Sequence, residues 1–252
     1  MNIIFLGTAG SGKTSLCNAY GLWLKKERHE SVSFVNLDPG AVEYLPYQPD
    51  FDIRKYFTIP QIMKKEKLGP NGAILRANEL FLENADTFIN KINDLTSDFI
   101  LIDTPGQLEP FIFKESSLFL QKLQQKSPSI AIFLIDAELT RYASNLIVGL
   151  LLAIAVQIQI GINMIYIVHK ADLLSKNLKI VKMIQNPNFF RECIISEQRG
   201  ALTDLALIVH EVFAKLASSI RIITTSAKKP FSGLEELHDL IHESFCACGD
   251  LT

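Results

Sequence analysis

The chain has 252 residues, 48% of them hydrophobic and 21% charged, with a net charge of −2. This is the composition of a globular protein with a large core, and its charge balance gives no general attraction to nucleic acid or an anionic membrane. Four cysteines without a C-x-x-C pair exclude a disulfide scaffold and a zinc cluster and suit a reducing cytosol, so Cys246 and Cys248 read as ordinary thiols.

The first predicted element is a strand, Ile3 to Leu6, which runs directly into Gly7-Thr8-Ala9-Gly10-Ser11-Gly12-Lys13-Thr14. The segment satisfies G-x-x-x-x-G-K-[ST] at every fixed position, behind a strand and ahead of a predicted helix over 13–28. In such a loop the backbone N–H groups of Gly10, Ser11, Gly12 and Ser15 surround a polyphosphate. Lys13 reaches the β- and γ-phosphates, and the Thr14 hydroxyl ligates the Mg²⁺ that bridges them. The dinucleotide pattern G-x-G-x-x-G fails, because its third glycine falls on Ser15. The apolar N-terminal stretch flows into this loop and is therefore not expected to be a signal peptide.

A second strand, Val32 to Leu37, leads into Asn36-Leu37-Asp38-Pro39-Gly40. Residues 38–71, rich in Pro, Tyr, Asp and Lys, read as an insertion or a pair of mobile segments, and a helical pattern follows over about 72–95. The third strand, Phe99 to Ile102, ends in Asp103-Thr104-Pro105-Gly106-Gln107. A carboxylate at such a strand tip is placed to hold the water shell of Mg²⁺. The Gly106 N–H can reach a γ-phosphate that disappears on hydrolysis, which makes the loop a nucleotide-state switch. Gln107 and Glu109 follow closely enough to position the attacking water, and Glu109 also acts on the dipole of a helix predicted over 110–125. Asp38, acting on water or on the metal shell, and Asp103 bring two carboxylates to one polyphosphate, which they cannot approach without Mg²⁺.

A strand over Ile130 to Ile135 precedes a helical pattern over 140–160, and residues 142–168 carry no charge. A transmembrane reading is rejected, because Gln157, Gln159, Gly161 and Asn163 interrupt the run and its apolar part is shorter than the ~20 residues a bilayer needs. It divides instead into a buried helix ending near Gly161 and a central strand, Met164 to Val168. That strand ends in Val168-His169-Lys170-Ala171-Asp172, which resembles the guanine-reading Asn-Lys-x-Asp element of GTPases. Asp172 would accept two hydrogen bonds from the ring N–H and exocyclic amine of guanine, and the Lys170 stem would cover the base. His169 stands where that element has Asn, which touches the link between base loop and phosphate loop rather than the Asp172 contact. A helix over 200–218, a strand from Arg221 to Thr224 and a helix over 232–246 complete the chain. Between the last two lies Ser226-Ala227-Lys228, where the Ala227 N–H would meet the guanine carbonyl.

Strands alternating with helices predict one α/β domain over 1–252: a three-layer sandwich with a mainly parallel P-loop NTPase sheet. An insertion at about 40–95, mostly helical, carries Gly69-Pro70-Asn71.

With that tripeptide, the phosphate loop, Asn36 to Gly40, Asp103 to Gln107 and the two base loops, the chain resembles the GPN-loop GTPases, a dimerising branch of P-loop proteins. The resemblance implies a Mg²⁺-dependent GTP hydrolase that works as a homodimeric switch in the cytoplasm. In such a dimer the Gly69-Pro70-Asn71 loop faces the phosphates of the other subunit, and Asn71 touches the γ-phosphate side or the attacking water in trans. It also implies a protein client, through assembly of multi-subunit complexes such as RNA polymerase, while the charge balance leads to no direct nucleic-acid or membrane partner being expected. No arginine finger stands out among Arg54, Arg76 and Arg141. A P-loop small-molecule kinase and a nucleotide-gated scaffold with little turnover stay open as rivals. A dimerising ATPase is weaker, because Thr8-Ala9 occupies the stretch where that subgroup often has an early lysine.

Overall fold

A computed structural model describes residues 1–107, 111–112, 116–174, 178–216 and 221–249. Its strands are β1 (Asn2–Gly7), β2 (Val32–Asn36), β3 (Phe51–Asp52), β4 (Phe99–Asp103), β5 (Ser129–Asp136), β6 (Met164–His169) and β7 (Ile222–Thr225). They form one seven-stranded sheet in the order β3-β2-β4-β1-β5-β6-β7. The β1–β4, β2–β4, β2–β3 and β6–β7 pairings are parallel. Parallel pairing requires crossovers, and the helices between strands supply them, giving the α/β P-loop sandwich expected from the sequence. The strands β1, β2, β4 and β5 are buried along their whole length, which is why they read as continuous apolar runs rather than alternating ones. Contacts gather the chain into two compact units, Met1–Ile132 with Val156–Met164, and Phe133–Ala155 with Ile165–Thr252.

In the first unit, α1 (Lys13–Trp23) buries Leu16, Cys17 and Tyr20. Gly21 lets it approach β2 closely: a Cβ there would lie 2.4 Å from the Phe34 ring. Helix α1 ends earlier than predicted, since residues Leu24–Arg28 widen into a π-helical turn that His29 closes with a left-handed backbone, φ 58°. The stretch 38–71 is more ordered than the sequence reading has it. Phe51 and Asp52 form β3 alongside Val35 and Asn36, and α2 (Ile59–Glu66) opens on a reciprocal cap between Thr58 and Gln61. The T-x-x-Q spacing carried that helix start in the sequence, whereas a strand as short as β3 leaves no periodicity to read. The helix expected over 72–95 is two, α3 (Pro70–Glu83) and α4 (Ala85–Asn93), divided at Asn84, whose side chain donates to the Leu80 carbonyl at 2.8 Å. Phe81 joins this pair to α5 (Ser116–Lys126), stacking obliquely on Phe88 and on Phe119. The expected start of that last helix at Pro110 lies outside the described residues.

The uncharged stretch forms the expected helix and strand, but the helix is buried along one side only, with Val148, Leu151 and Ile158 exposed. Helix α6 (Ala143–Ile160) is followed by Gly161 at φ 67° and then by β6. With 18 residues and mean hydropathy 2.0, α6 is long and apolar enough to cross a membrane by length and composition alone. Its buried residues Ala143, Leu146, Leu150 and Ala153 nevertheless recur every three or four positions, the spacing of a core-facing stripe. The sequence reading missed α7 (Leu178–Gln185) and α8 (Pro187–Ser196), in the second unit. The signal was local: Asn186 caps α8 by accepting from the Asn188 and Phe189 N–H groups, with Pro187 at its first position. Helices α9 (Ala201–Leu216) and α10 (Leu234–Gly249) follow the predicted pattern.

Candidate nucleotide site

Because β1, β2 and β4 are parallel neighbours, their carboxyl ends share one edge of the first unit, and the predicted phosphate-side residues leave from that edge. The loop after β1 bends through Gly10 (φ 77°) and Gly12 (φ 96°), both left-handed. At Gly10 an added Cβ would touch nothing, so backbone conformation demands the glycine there. Gly12 sits at the N-cap of α1, leaving the first-turn N–H groups directed out of the helix end. Lys13 is buried, and its ammonium donates to the Gly7 and Thr8 carbonyls at 2.9 and 3.1 Å. Burial pushes its pKa down, while Asp103 and Asp38 pull it up. Ser11 Oγ is buried without a hydrogen-bond partner, and Ser15 is exposed.

Asp103 ends β4, almost wholly buried. Its carboxyl is pushed up to about 6 chiefly by burial, against hydrogen bonds from Thr14 and Tyr47 and the charge of Lys13. Tyr47 Oη donates to Oδ2 at 2.8 Å, while Oδ1 is buried with no hydrogen-bond partner. Asp38 is also raised by burial, opposed by the N–H groups of Gly40 and Gly106. The Gly106 N–H, expected at a γ-phosphate, is thus directed at the Asp38 carboxylate in this structure. Next to it, Pro105, Gly106 and Gln107 line a cavity of ≈360 Å³ with Asp38, Ile74 and Asn78. Thr104 Oγ1 ties the loop back to β1 through the Phe5 carbonyl at 2.6 Å. Glu109 lies outside the described residues.

The base-side residues lie in the second unit, at the carboxyl ends of β6 and β7. Lys170 takes a left-handed backbone, φ 66°, and its ammonium bonds to Asp136 at 2.7 Å and Glu138 at 3.3 Å. Asp172 lies in the 3₁₀ turn Ala171–Leu174, where Ser226 Oγ donates to its Oδ1 at 2.6 Å. The Lys228 N–H in turn donates to Ser226 Oγ at 3.1 Å. His169 pairs in register with Thr225, and its Nδ1 lies 2.8 Å from Thr225 Oγ1. The substitution of His for Asn therefore ties one base loop to the other. Ala227, half-buried, sits in the second loop as predicted.

Burial of His169 depresses its pKa from 6.5 to about 4, with Asp172 pulling the other way. The unfolded chain takes up this proton first, so the stabilisation is complete above pH 6.5 and is lost as pH falls toward 4, by about 3 kcal/mol. Asp103, raised from 3.8 to about 6, has the opposite sign and loses stability as pH rises through that window. The comparison of His169→Asn with the natural chain isolates the imidazole. Urea unfolding between pH 7 and 4 is expected to show the natural chain losing about 3 kcal/mol more than the variant. Parallel profiles would refute the buried neutral imidazole.

Gly69 is the N-cap of α3, with Pro70 and Asn71 in its first turn, all three exposed. Of the arginines, Arg54 is held by Asp52 at 2.7 Å and by the Val42 and Glu43 carbonyls, and Arg76 by Glu66, Glu79 and Glu83. Nothing is described of the Arg141, Cys246 and Cys248 side chains. Sequence reasoning missed Tyr47, Asp136 and Thr225. Asp136, at the tip of a buried strand like Asp103, was discoverable by position; Tyr47 lies in a stretch without periodicity.

A family profile described as conserved hypothetical ATP binding protein matches residues 5–247. The sequence is 34% identical over 260 residues to GPN-loop GTPase PAB0955 of Pyrococcus abyssi, covering 100% of both chains. The chain belongs to the GPN-loop GTPase family. As a GPN-loop GTPase it is also 30% identical over 224 residues to GPN-loop GTPase 1 of Dictyostelium discoideum. That match takes in 86% of this chain but 56% of the relative, so the chain spans little more than half the relative's length. The crystal structure of the Pyrococcus abyssi GTPase in apo form matches this GPN-loop GTPase with a TM-score of 0.85 and 32% identity over 98% of each chain.

Proposed function

We propose that this chain binds GTP with Mg²⁺ and hydrolyses it to GDP and phosphate, acting in the cytoplasm as a homodimeric switch with a protein client. The observation that carries this reading is a buried lysine under the charge of two carboxylates, the buried Asp103 and the half-buried Asp38, which follow neighbouring strands. The orphaned Asp103 Oδ1 fits a hydrated cation, and Thr14 lies beside the same carboxylate. Thr14 and Asp103 would hold Mg²⁺, which would supply positive charge to offset that of the phosphates. No cluster of three or more His, Cys, Asp or Glu side chains able to hold a metal is found among the described residues.

The remaining steps belong to the chain. Lys13 exchanges carbonyl partners for phosphate oxygens, and the Gly106 N–H exchanges Asp38 for the γ-phosphate. Asp38, released, and Gln107 orient the attacking water. The exposed position of Gly69-Pro70-Asn71 supports its use in trans, with Asn71 completing the site of a second copy. Client assembly, of RNA polymerase or a similar complex, rests on the family resemblance. Buried free thiols at Cys17 and Cys193 are in keeping with a reducing compartment.

The family profile's description names ATP instead. Adenine, however, presents a ring acceptor where guanine presents a donor, and a carboxylate at Asp172 repels an acceptor. Phosphate release with Mg²⁺ and either GTP or ATP tests the reading. Turnover of GTP alone is expected, with a ten- to hundredfold loss of kcat in Asn71→Ala. Equal turnover of ATP overturns the base assignment, and full activity in Asn71→Ala overturns the trans role.

A further inference from the structure

Tyr47 reaches Asp103 from 56 residues away in sequence. Its ring is buried and stacked on Phe34, with centroids 4.7 Å and planes 13° apart. The chain to either side is fastened as well. Downstream, the Asp50 carboxylate accepts from the Phe34 N–H at 2.8 Å, and the Asp50 N–H donates to the Phe34 carbonyl at 2.8 Å. Upstream, Arg54 grips the Val42 and Glu43 carbonyls while Asp52 holds its guanidinium. The phenol is thus held by its ring and by ties on both sides of it in sequence, and its one described hydrogen bond goes to Asp103 Oδ2.

A carboxylate free to rotate presents either oxygen, and fixing it costs free energy when a ligand binds. Here one oxygen carries the phenol, while the other is buried with no hydrogen-bond partner. We propose that Tyr47 is a positioning residue for the metal-side carboxylate, fixing Asp103 so that Oδ1 is presented to the hydration shell of nucleotide-bound Mg²⁺. This rests on the Mg²⁺–nucleotide reading given above. It also gives the segment after Asp38 a purpose, because one stretch of chain then supplies an acid and the donor that aligns its counterpart. Partners that orient a ligating carboxylate affect metal affinity even though they never touch the ion.

The test uses the full chain and a fluorescent guanine nucleotide, with affinity measured across a Mg²⁺ titration starting from chelator. In Tyr47→Phe the half-saturating Mg²⁺ concentration is expected to rise about tenfold, with nucleotide affinity in chelator and the unfolding midpoint close to those of the natural chain. A shift of less than about twofold overturns the proposal, as does an equal loss of affinity with and without Mg²⁺, since a purely structural tyrosine gives one of those results. Phe34→Leu keeps the hydroxyl but removes the ring beneath it. It is expected to raise the half-saturating Mg²⁺ in the same direction, and an unchanged value there overturns the role of a rigid donor. A natural chain that binds no guanine nucleotide would instead overturn the functional reading, so the two failures are distinguishable.

Discussion

Asp172→Asn is expected to lower affinity for GTP about a thousandfold or more and to raise affinity for the xanthine nucleotide. In the proposed site Asp172 would offer a carboxylate to the N–H and amino donors of guanine, and an amide would supply one acceptor and one donor in its place. The local geometry decides which end points where. Ser226 Oγ already donates to Oδ1 at 2.6 Å and is itself fixed by the Lys228 N–H at 3.1 Å. The introduced amide keeps its carbonyl toward Ser226, which places its NH₂ at the other oxygen position. There it meets the guanine amino group donor to donor, whereas xanthine has a carbonyl at that ring position. The fold is spared, because the Ser226 bond survives and Lys170 remains paired with Asp136 and Glu138. Calorimetric titration with GTP, the xanthine triphosphate and ATP measures the outcome. GTP affinity within tenfold of the natural chain would remove Asp172 from base recognition.

The parts of this site legible in the sequence are those whose chemistry is written at fixed spacing along one stretch of chain. Gly7 to Thr14 and Asp103 to Gln107 follow buried parallel neighbours of the first unit, which share one edge, and Lys170 to Asp172 follows a strand of the second. What stayed hidden is the support for those residues. Tyr47 bonds to Asp103 across 56 positions, Asp136 to Lys170 across 34, and His169 to Thr225 across 56. No local pattern encodes a partner set by the pairing of distant strands. His169 shows the difference well. As a departure from the guanine-reading element it put the link with the phosphate loop in doubt, whereas its bond to Thr225, which joins the ends of β6 and β7, came only from strand register. The missed elements have a related cause: β3, α2, α7 and α8 are too short for periodicity, so only the cap signals at Thr58, for α2, and Asn186, for α8, marked any of the helices.

Lys13→Ala is expected to reduce kcat/KM for GTP by about a thousandfold or more while leaving the fold intact. The ammonium rests on the Gly7 and Thr8 carbonyls, so it is already stripped of most water before phosphate arrives. Binding replaces two neutral acceptors with anionic ones, and charge-assisted hydrogen bonds are roughly twice as strong. The loss is amplified by the neighbours. Asp103 and Asp38 both interact electrostatically with Lys13, and without the cation the two carboxylates face an incoming polyphosphate with one less charge to offset them. Stability is expected to change little at neutral pH, because the loop carbonyls of Gly7 and Thr8 become accessible to water once the lysine stem is gone. Lys13→Arg separates charge from shape: it keeps the cation, but a planar fork replaces a compact ammonium in a buried loop, and recovery is expected to be slight. Single-turnover phosphate release, with urea unfolding as the control for folding, measures both variants. Hydrolysis within tenfold of the natural chain in Lys13→Ala would take the triphosphate out of the loop after β1.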